Sequence, residues 1–192
     1  MTRAGVMLLA LAANAGAVEL HIQFGALERM LSEQVFTQEG RRYVRGSRES
    51  KCNFAYLEKP QVRGENGRLR MKARFSGRSA LNVVGQCVGL GDAFDVVILA
   101  LPIYRNGAIG LQDVKVTSDG KTGYYIRRVC SAMEASLARD FKYGLEHETQ
   151  IMLENPAVQP NYKREVRAFK VPDIRVTADA LVLQVDFELT VK

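Results

Sequence analysis

The sequence predicts an α+β protein: a long, highly curved antiparallel β-sheet wrapped around a long α-helix in the C-terminal half, with a short helix near the N-terminus. Three observations lead there. Residues 181–192 place Leu181, Leu183, Val185, Phe187, Leu189 and Val191 on one side and Val182, Gln184, Asp186, Glu188, Thr190 and Lys192 on the other, the period of a strand with one covered face. From Gly123 to about Leu153 the period becomes helical, with Ile126, Val129, Cys130, Met133, Leu137, Phe141 and Leu145 on one stripe and Arg127, Arg128, Glu134, Arg139, Asp140 and Lys142 opposite. Asn66-Gly67 and Asn106-Gly107 each separate runs of strand character, and Asn-Gly is the strongest hairpin dipeptide.

The lengths of these elements suggest how they meet. A helix of near thirty residues spans roughly 45 Å at 1.5 Å per residue, and a twelve-residue strand roughly 40 Å at 3.3 Å per residue. The two can therefore lie along each other, which is why the sheet is expected to curve around the helix.

In chain order, Met1-Thr2-Arg3 carries a positive charge, Val6 to Ala13 is apolar, and Ala15-Gly16-Ala17 supplies small residues where a signal peptidase cuts. The apolar run is far shorter than the roughly 20 residues that span a bilayer. Residues 1–17 are expected to be a signal peptide cleaved after Ala17, leaving residues 18–192 as one domain that is periplasmic or secreted. A buried N-terminal helix is the competing reading of the same run. No cysteine follows it to carry a lipid anchor.

Residues from about His21 to Phe36 read as an amphipathic helix, with Phe24, Leu27, Met30, Leu31 and Val35 at spacings of three and four and Gly40 as its stop. Phe54 and Tyr56 alternate before Lys59-Pro60. Leu69, Met71, Ala73 and Phe75 then alternate with Arg68, Arg70, Lys72 and Arg74, so Glu65-Asn66-Gly67 is a hairpin turn. Ala80 to Tyr104 is a longer apolar segment in which Gly85, Gly89 and Gly91 mark bends. Its continuous run Val96–Leu101 suggests a strand covered on both faces. Ile109, Leu111, Val114 and Val116 continue the sheet up to Ser118-Asp119-Gly120. Asn155-Pro156 ends the long helix. Residues 164–176 and 181–192 are the two closing strands, joined at Ala178-Asp179-Ala180.

The order of short helix, strand meander, long helix and two closing strands, with the alternation of residues 164–192 and the phrase Val171-Pro172-Asp173-Ile174-Arg175-Val176, resembles the tubular lipid-binding (TULIP) superfamily. That group includes the bactericidal/permeability-increasing type proteins, the synaptotagmin-like lipid-binding domains and small bacterial periplasmic relatives. The resemblance covers roughly residues 20–192 and rests on pattern, with no invariant motif. It implies a curved sheet around a helix, an elongated apolar cleft for acyl chains, and no catalytic residues. The bacterial relatives are often lipoproteins, and this chain departs from them in lacking the lipid-anchoring cysteine.

The residues themselves point away from an enzyme. His21 and His147 are the only histidines, and GxSxG, HExxH and phosphate-binding glycine loops are absent. No cofactor or metal is expected. A hydrophobic ligand would be held by Phe24, Leu27 and Leu31 on the first helix with Ile126, Met133, Leu137 and Phe141 on the second; the alternative is that these stripes only seal the helices onto the sheet. Of Cys52, Cys87 and Cys130, the first two lie in strand-like segments and are the preferred disulfide pair, three reduced buried thiols being the alternative.

The formal charge of +6 and pI near 9.3 favour an anionic partner surface. Arg41, Arg42, Arg45 and Arg48, or Arg63, Arg68, Arg70, Lys72 and Arg74, could meet phosphate headgroups of a membrane, or simply form solvated faces. Nucleic acid is not an expected partner, since export argues against it and no recognition motif is present. The expected function is periplasmic binding or transport of a lipid or other hydrophobic ligand in an apolar cleft. The alternative is a structural or interaction module of the cell envelope that uses the same fold without a small ligand.

Overall fold

The computed structural model describes residues 18–155, 157 and 163–192; the expected signal peptide and the helix-ending Pro156 lie outside them. The elements in order are β1 (Val18–Gln23), α1 (Phe24–Gln34), β2 (Arg41–Arg45), β3 (Asn53–Glu65), β4 (Arg68–Val83), β5 (Gln86–Arg105), β6 (Ala108–Ser118), α2 (Tyr124–Asp140), α3 (Leu145–Glu154), β7 (Arg164–Val176) and β8 (Ala180–Val191). This is an α+β fold with a strongly curved antiparallel sheet.

The strands form two sheets where the sequence suggested one. Five run in the order β2-β3-β4-β5-β6, and the closing pair joins β1 in a second sheet of order β1-β8-β7. Glu65–Arg68 and Arg105–Ala108 close the two Asn-Gly hairpins as expected. The segment from Ala80 to Tyr104, read as one apolar stretch with bends, contains a third hairpin, turning at Val84-Gly85 between Val83 and Gln86.

Curvature is built at bulges, where an extra residue on one strand bends it and increases its twist. The register slips between Glu58 and Gln61, between Leu99 and Leu101 against β6, and between Arg167 and Lys170. Lys59, Asp113 and Ala168 have positive φ in these three interruptions. These bulges therefore fall on ordinary side chains; of the glycines that sequence reading marked, Gly85 lies in the turn of the third hairpin.

Two cores result. One joins Leu57, Ala73, Phe75, Phe94, Val96 and Ile98 of the five-stranded sheet to Ile126, Cys130 and Met133 of α2. The other joins Leu181, Leu183, Val185, Val166 and Phe169 of the small sheet to Ile109 and to Leu145 of α3. The expected single long helix is therefore two helices, each serving its own core. Between them Phe141 is extended, and Tyr143 exchanges backbone hydrogen bonds of 2.8 and 2.9 Å with Ile109 on β6. Those strand-type bonds cannot coexist with a continuing i→i−4 ladder, so the helix stops there.

Three further expectations change. Residues 21–23 belong to strand β1 rather than to the helix, so His21 pairs with Val182 in β8 and α1 begins at Phe24. In the run Val96–Leu101 only Val96, Ile98 and Ala100 are buried, while Val97, Leu99 and Leu101 are half-buried. In β8 the apolar side is buried only to Val185; Leu189 and Val191 are exposed, and Val182 on the opposite side is buried.

None of the three helices among the described residues has a side-chain N-cap, so tertiary contacts must hold them. Each helix supplies one glutamate to do so. The Val62 N–H of β3 donates to Glu28 Oε1 of α1 at 2.6 Å. The Val116 N–H of β6 donates to Glu134 Oε1 of α2 at 2.8 Å, and the Val166 N–H of β7 to Glu154 Oε1 of α3 at 2.8 Å. β6 and β7 are edge strands, whose outward N–H groups otherwise lack ladder partners. Glu134→Ala should lower stability by about 1–3 kcal/mol, the cost of a part-buried N–H left unpaired. Glu134→Gln, which keeps an acceptor, should cost less; urea midpoints of the two variants check the ranking.

Candidate functional site

The helices cover the concave face unevenly. α2 packs chiefly on β6, at one edge of the five-stranded sheet, and α1 packs on β3. A groove is left along α2, between it and the opposite side of the curved sheet.

Its deep end is an apolar cavity of about 90 Å³ where the two sheets meet. Leu27, Met30 and Leu31 of α1 face Leu137 at the end of α2 and Phe141 just beyond it across this space. Val62, Leu69, Met71, Ile98, Ala100, Ile109 and Leu111 of β3–β6 form its floor, and Ile22 and Leu181 of the small sheet close one side. Among the described residues Tyr143 is the only one lining this cavity with an oxygen or nitrogen in its side chain. Burial raises its phenol pKa, with the Glu148 carboxylate adding to the effect, so the group stays neutral near pH 7.

The groove continues into a section of about 140 Å³ that shares Leu31, Val35, Met71, Leu137 and Phe141 with the deep end and adds Arg42, Tyr43, Ser136 and Asp140. Asp140 accepts hydrogen bonds from Arg139 and Ser136, which with the Arg42 charge hold its carboxyl below its ordinary pKa. Polar groups therefore enter only partway along. The widest section, about 330 Å³, shares Val44 and Ser136 with the second and is lined by Phe54, Ala55, Phe75, Val129, Ala132 and Met133, with Arg45, Arg78 and Ser79 at the side.

Of the residues expected to hold a ligand, Leu27, Leu31, Leu137 and Phe141 line the deep cavity. Met133 lines the widest section, although it also belongs to the first core. Ile126 is buried in that core without lining the groove, and Phe24 is buried at the start of α1 away from it. The floor residues Val62, Met71 and Ile98 were not singled out, because which strand residues face the same space depends on register, which periodicity does not give.

Most cations of the β3–β4 hairpin are engaged with carboxylates. Arg70 pairs with Glu65 at 3.0 Å, Lys72 with Asp119 at 3.0 Å, and Arg74 with Asp95 at 3.2 Å. In the Arg41–Arg48 group, Arg41 meets Glu58 at 3.4 Å and lies over the Tyr56 ring, and Arg48 meets Glu39 at 2.7 Å. Arg42 and Arg45 are the members that line the groove.

Cys52 and Cys87 are joined in a disulfide, and Cys130 is a buried free thiol whose pKa burial raises. Both histidines are exposed. Among the described residues no three His, Cys, Asp or Glu side chains are grouped to hold a metal ion. Comparison with known proteins finds no family model that matches this chain and no curated protein of matching sequence.

Proposed function

We propose that this protein binds the acyl chain of a lipid, or a hydrophobic molecule of similar width, in the groove along α2. The observation that carries the reading is the groove's gradient. Its deep end is lined by apolar side chains and one neutral tyrosine, and cations appear only towards its wider sections. α2 has 17 residues and so runs about 25 Å at 1.5 Å per residue. One acyl chain fills half of a hydrocarbon core about 30 Å thick, roughly 15 Å, so a single chain fits the length of the groove.

The widest section, at about 330 Å³, is within the usual range for small-ligand sites. The 90 Å³ end would take only a chain terminus, and the flexible Met30 and Met71 beside it can yield to admit more. Ten buried methylenes at about 0.8 kcal/mol each contribute about 8 kcal/mol before association costs, which makes micromolar affinity the upper bound for such a chain. No polar anchor is needed for that, and Arg42 or Arg45 would then face the headgroup end. The TULIP resemblance in the sequence pattern supports the same reading. Export to the periplasm belongs to the proposal, supported by the leader-like N-terminus and a disulfide of the kind that persists in oxidising compartments.

The test is uptake of a fluorescent fatty acid. Ala132 is exposed on α2 and lines the widest section, so Ala132→Trp fills the groove without entering a core. The native protein should take up the probe, and Ala132→Trp should bind it about tenfold more weakly with an unchanged melting temperature. A native protein that takes up nothing, or a variant that binds equally well, would overturn the reading in favour of a ligand-free interaction module.

A further inference from the structure

The β4–β5 hairpin projects beyond its neighbours. β3 pairs with β4 only as far as Ser79, and β6 pairs with β5 only from Val96 onward, so residues 80–89 form a two-stranded ribbon without a third strand, tied at its root where the Ala80 N–H donates to the Cys52 carbonyl at 3.0 Å. At 3.4 Å per residue, the four residues from Ala80 to Val83 extend about 14 Å. Directly opposed residues of an antiparallel pair share a face. Stepping outward from Phe75–Phe94, the concave side therefore carries Ser79–Leu90, Leu81–Val88 and Val83–Gln86. Leu81, Val83, Val88 and Leu90 are all exposed, and Val84 at the turn is 98% exposed. The other face carries Cys87, whose bond to Cys52 braces the ribbon; at its root the Asn53 amide of β3 donates to the Ala80 carbonyl at 2.8 Å.

The turn itself is a second and independent observation. Three hairpins of this chain turn through two residues of positive φ: Asn66-Gly67, Asn106-Gly107 and Val84-Gly85. Asn is a relaxed occupant of the first position, whereas a β-branched residue at φ +49° is strained. The chain thus keeps an apolar side chain at an almost fully exposed turn against local backbone preference, a pattern characteristic of functional sites.

We infer that this ribbon is a membrane-docking element that inserts Leu81, Val84, Val88 and Leu90 into the surface of an anionic phospholipid bilayer. Charge argues for that occupant. Arg78 is the single charged residue between Ser76 and Gly91, with no carboxylate among them, and Lys51 adjoins the disulfide at the base. Both are exposed. Of the nearby acids, Asp92 is held by Lys121 at 2.6 Å, and Glu49 accepts from the Ser47 hydroxyl. Size argues against a protein partner, since five exposed apolar residues fall short of the roughly 20–30 residues a side in a standard interface. The unpaired strand edges set the depth: open edges are not tolerated in hydrocarbon, so the tip stops at the headgroup–acyl boundary, where interfacial elements bury their apolar side about 5–10 Å.

Co-sedimentation of the purified protein with vesicles of equal parts phosphatidylglycerol and phosphatidylcholine, against pure phosphatidylcholine, tests this. The native protein should sediment with the anionic vesicles and less with the neutral ones. Leu81→Asp/Val84→Asp/Leu90→Asp should bind about a hundredfold more weakly, or less, while still taking up fatty acid in solution, so failure of the tip and failure of the groove are read separately. Val84→Asn should raise the melting temperature yet weaken vesicle binding about fivefold, opposite signs that a structural role would not produce. The inference is overturned if the native protein stays in the supernatant with both vesicles, or if the triple variant binds as the native protein does. It is also overturned if sedimentation equilibrium shows a native dimer that the triple variant abolishes, which would assign the tip to a second copy of this chain.

Discussion

Replacing Cys52 and Cys87 together by serine should lower the stability of the protein by about 4 kcal/mol. The two cysteines are 35 residues apart with their Cα atoms 5.2 Å apart. A cross-link over a loop of that length removes chain entropy from the unfolded state equivalent to roughly 4 kcal/mol at 25 °C. For a domain of this size each kcal/mol moves the melting temperature by about 2–4 °C, so calorimetry should show a fall of about 10 °C. The loss should also be visible locally. The bond ties the segment before β3 to the start of β5, part-way along a ribbon that has no third strand, so limited proteolysis of the variant should cut within residues 79–91 first. Cys130 is then the one cysteine left in the chain, so no other disulfide can form within it.

Phe75→Ala should destabilise the protein by about 3–5 kcal/mol, the usual range for removing a fully buried aromatic side chain. Phe75 and Phe94 are each 2% exposed with ring centroids 4.9 Å apart, an arrangement that contributes beyond area alone. Gly77 makes room for this packing, since a Cβ there would lie 2.7 Å from the Phe75 ring. Phe75→Leu should recover part of the loss, and Phe54→Ala, at a half-buried position, should cost markedly less. Guanidinium midpoints for the three variants give the ordering. Because Phe75 also lines the widest section of the groove, its truncation enlarges the space offered to a ligand.

Local chemistry made some of this fold readable from sequence, and long-range pairing concealed the rest. Asn66-Gly67 and Asn106-Gly107 announce their turns because Asn and Gly accept positive φ. Val84-Gly85 uses the same geometry behind a residue that signals strand, so the third hairpin was hidden inside an apolar run. The bulges at Lys59, Asp113 and Ala168 carry no compositional mark either. The helix break was invisible for a different reason: Leu137, Phe141 and Leu145 keep a spacing of four, so the stripe continues in phase across a gap imposed by the Tyr143–Ile109 pairing. Alternation identified the strands of both sheets, yet it holds no information on which strand pairs with which. Four helix-side residues of the deep cavity, Leu27, Leu31, Leu137 and Phe141, followed from the stripes alone. The floor needed register.

A paramagnetic fatty acid tests the central claim most directly. With a nitroxide on the acyl chain and methyl-labelled protein, the account predicts broadening of the Leu31, Leu137 and Met133 methyl signals, which line successive sections of the groove. Val166 and Leu183, buried in the second core without lining it, should stay sharp. Uniform broadening, no broadening, or an effect confined to the exposed Leu189 and Val191 would contradict an acyl site between α2 and the curved sheet.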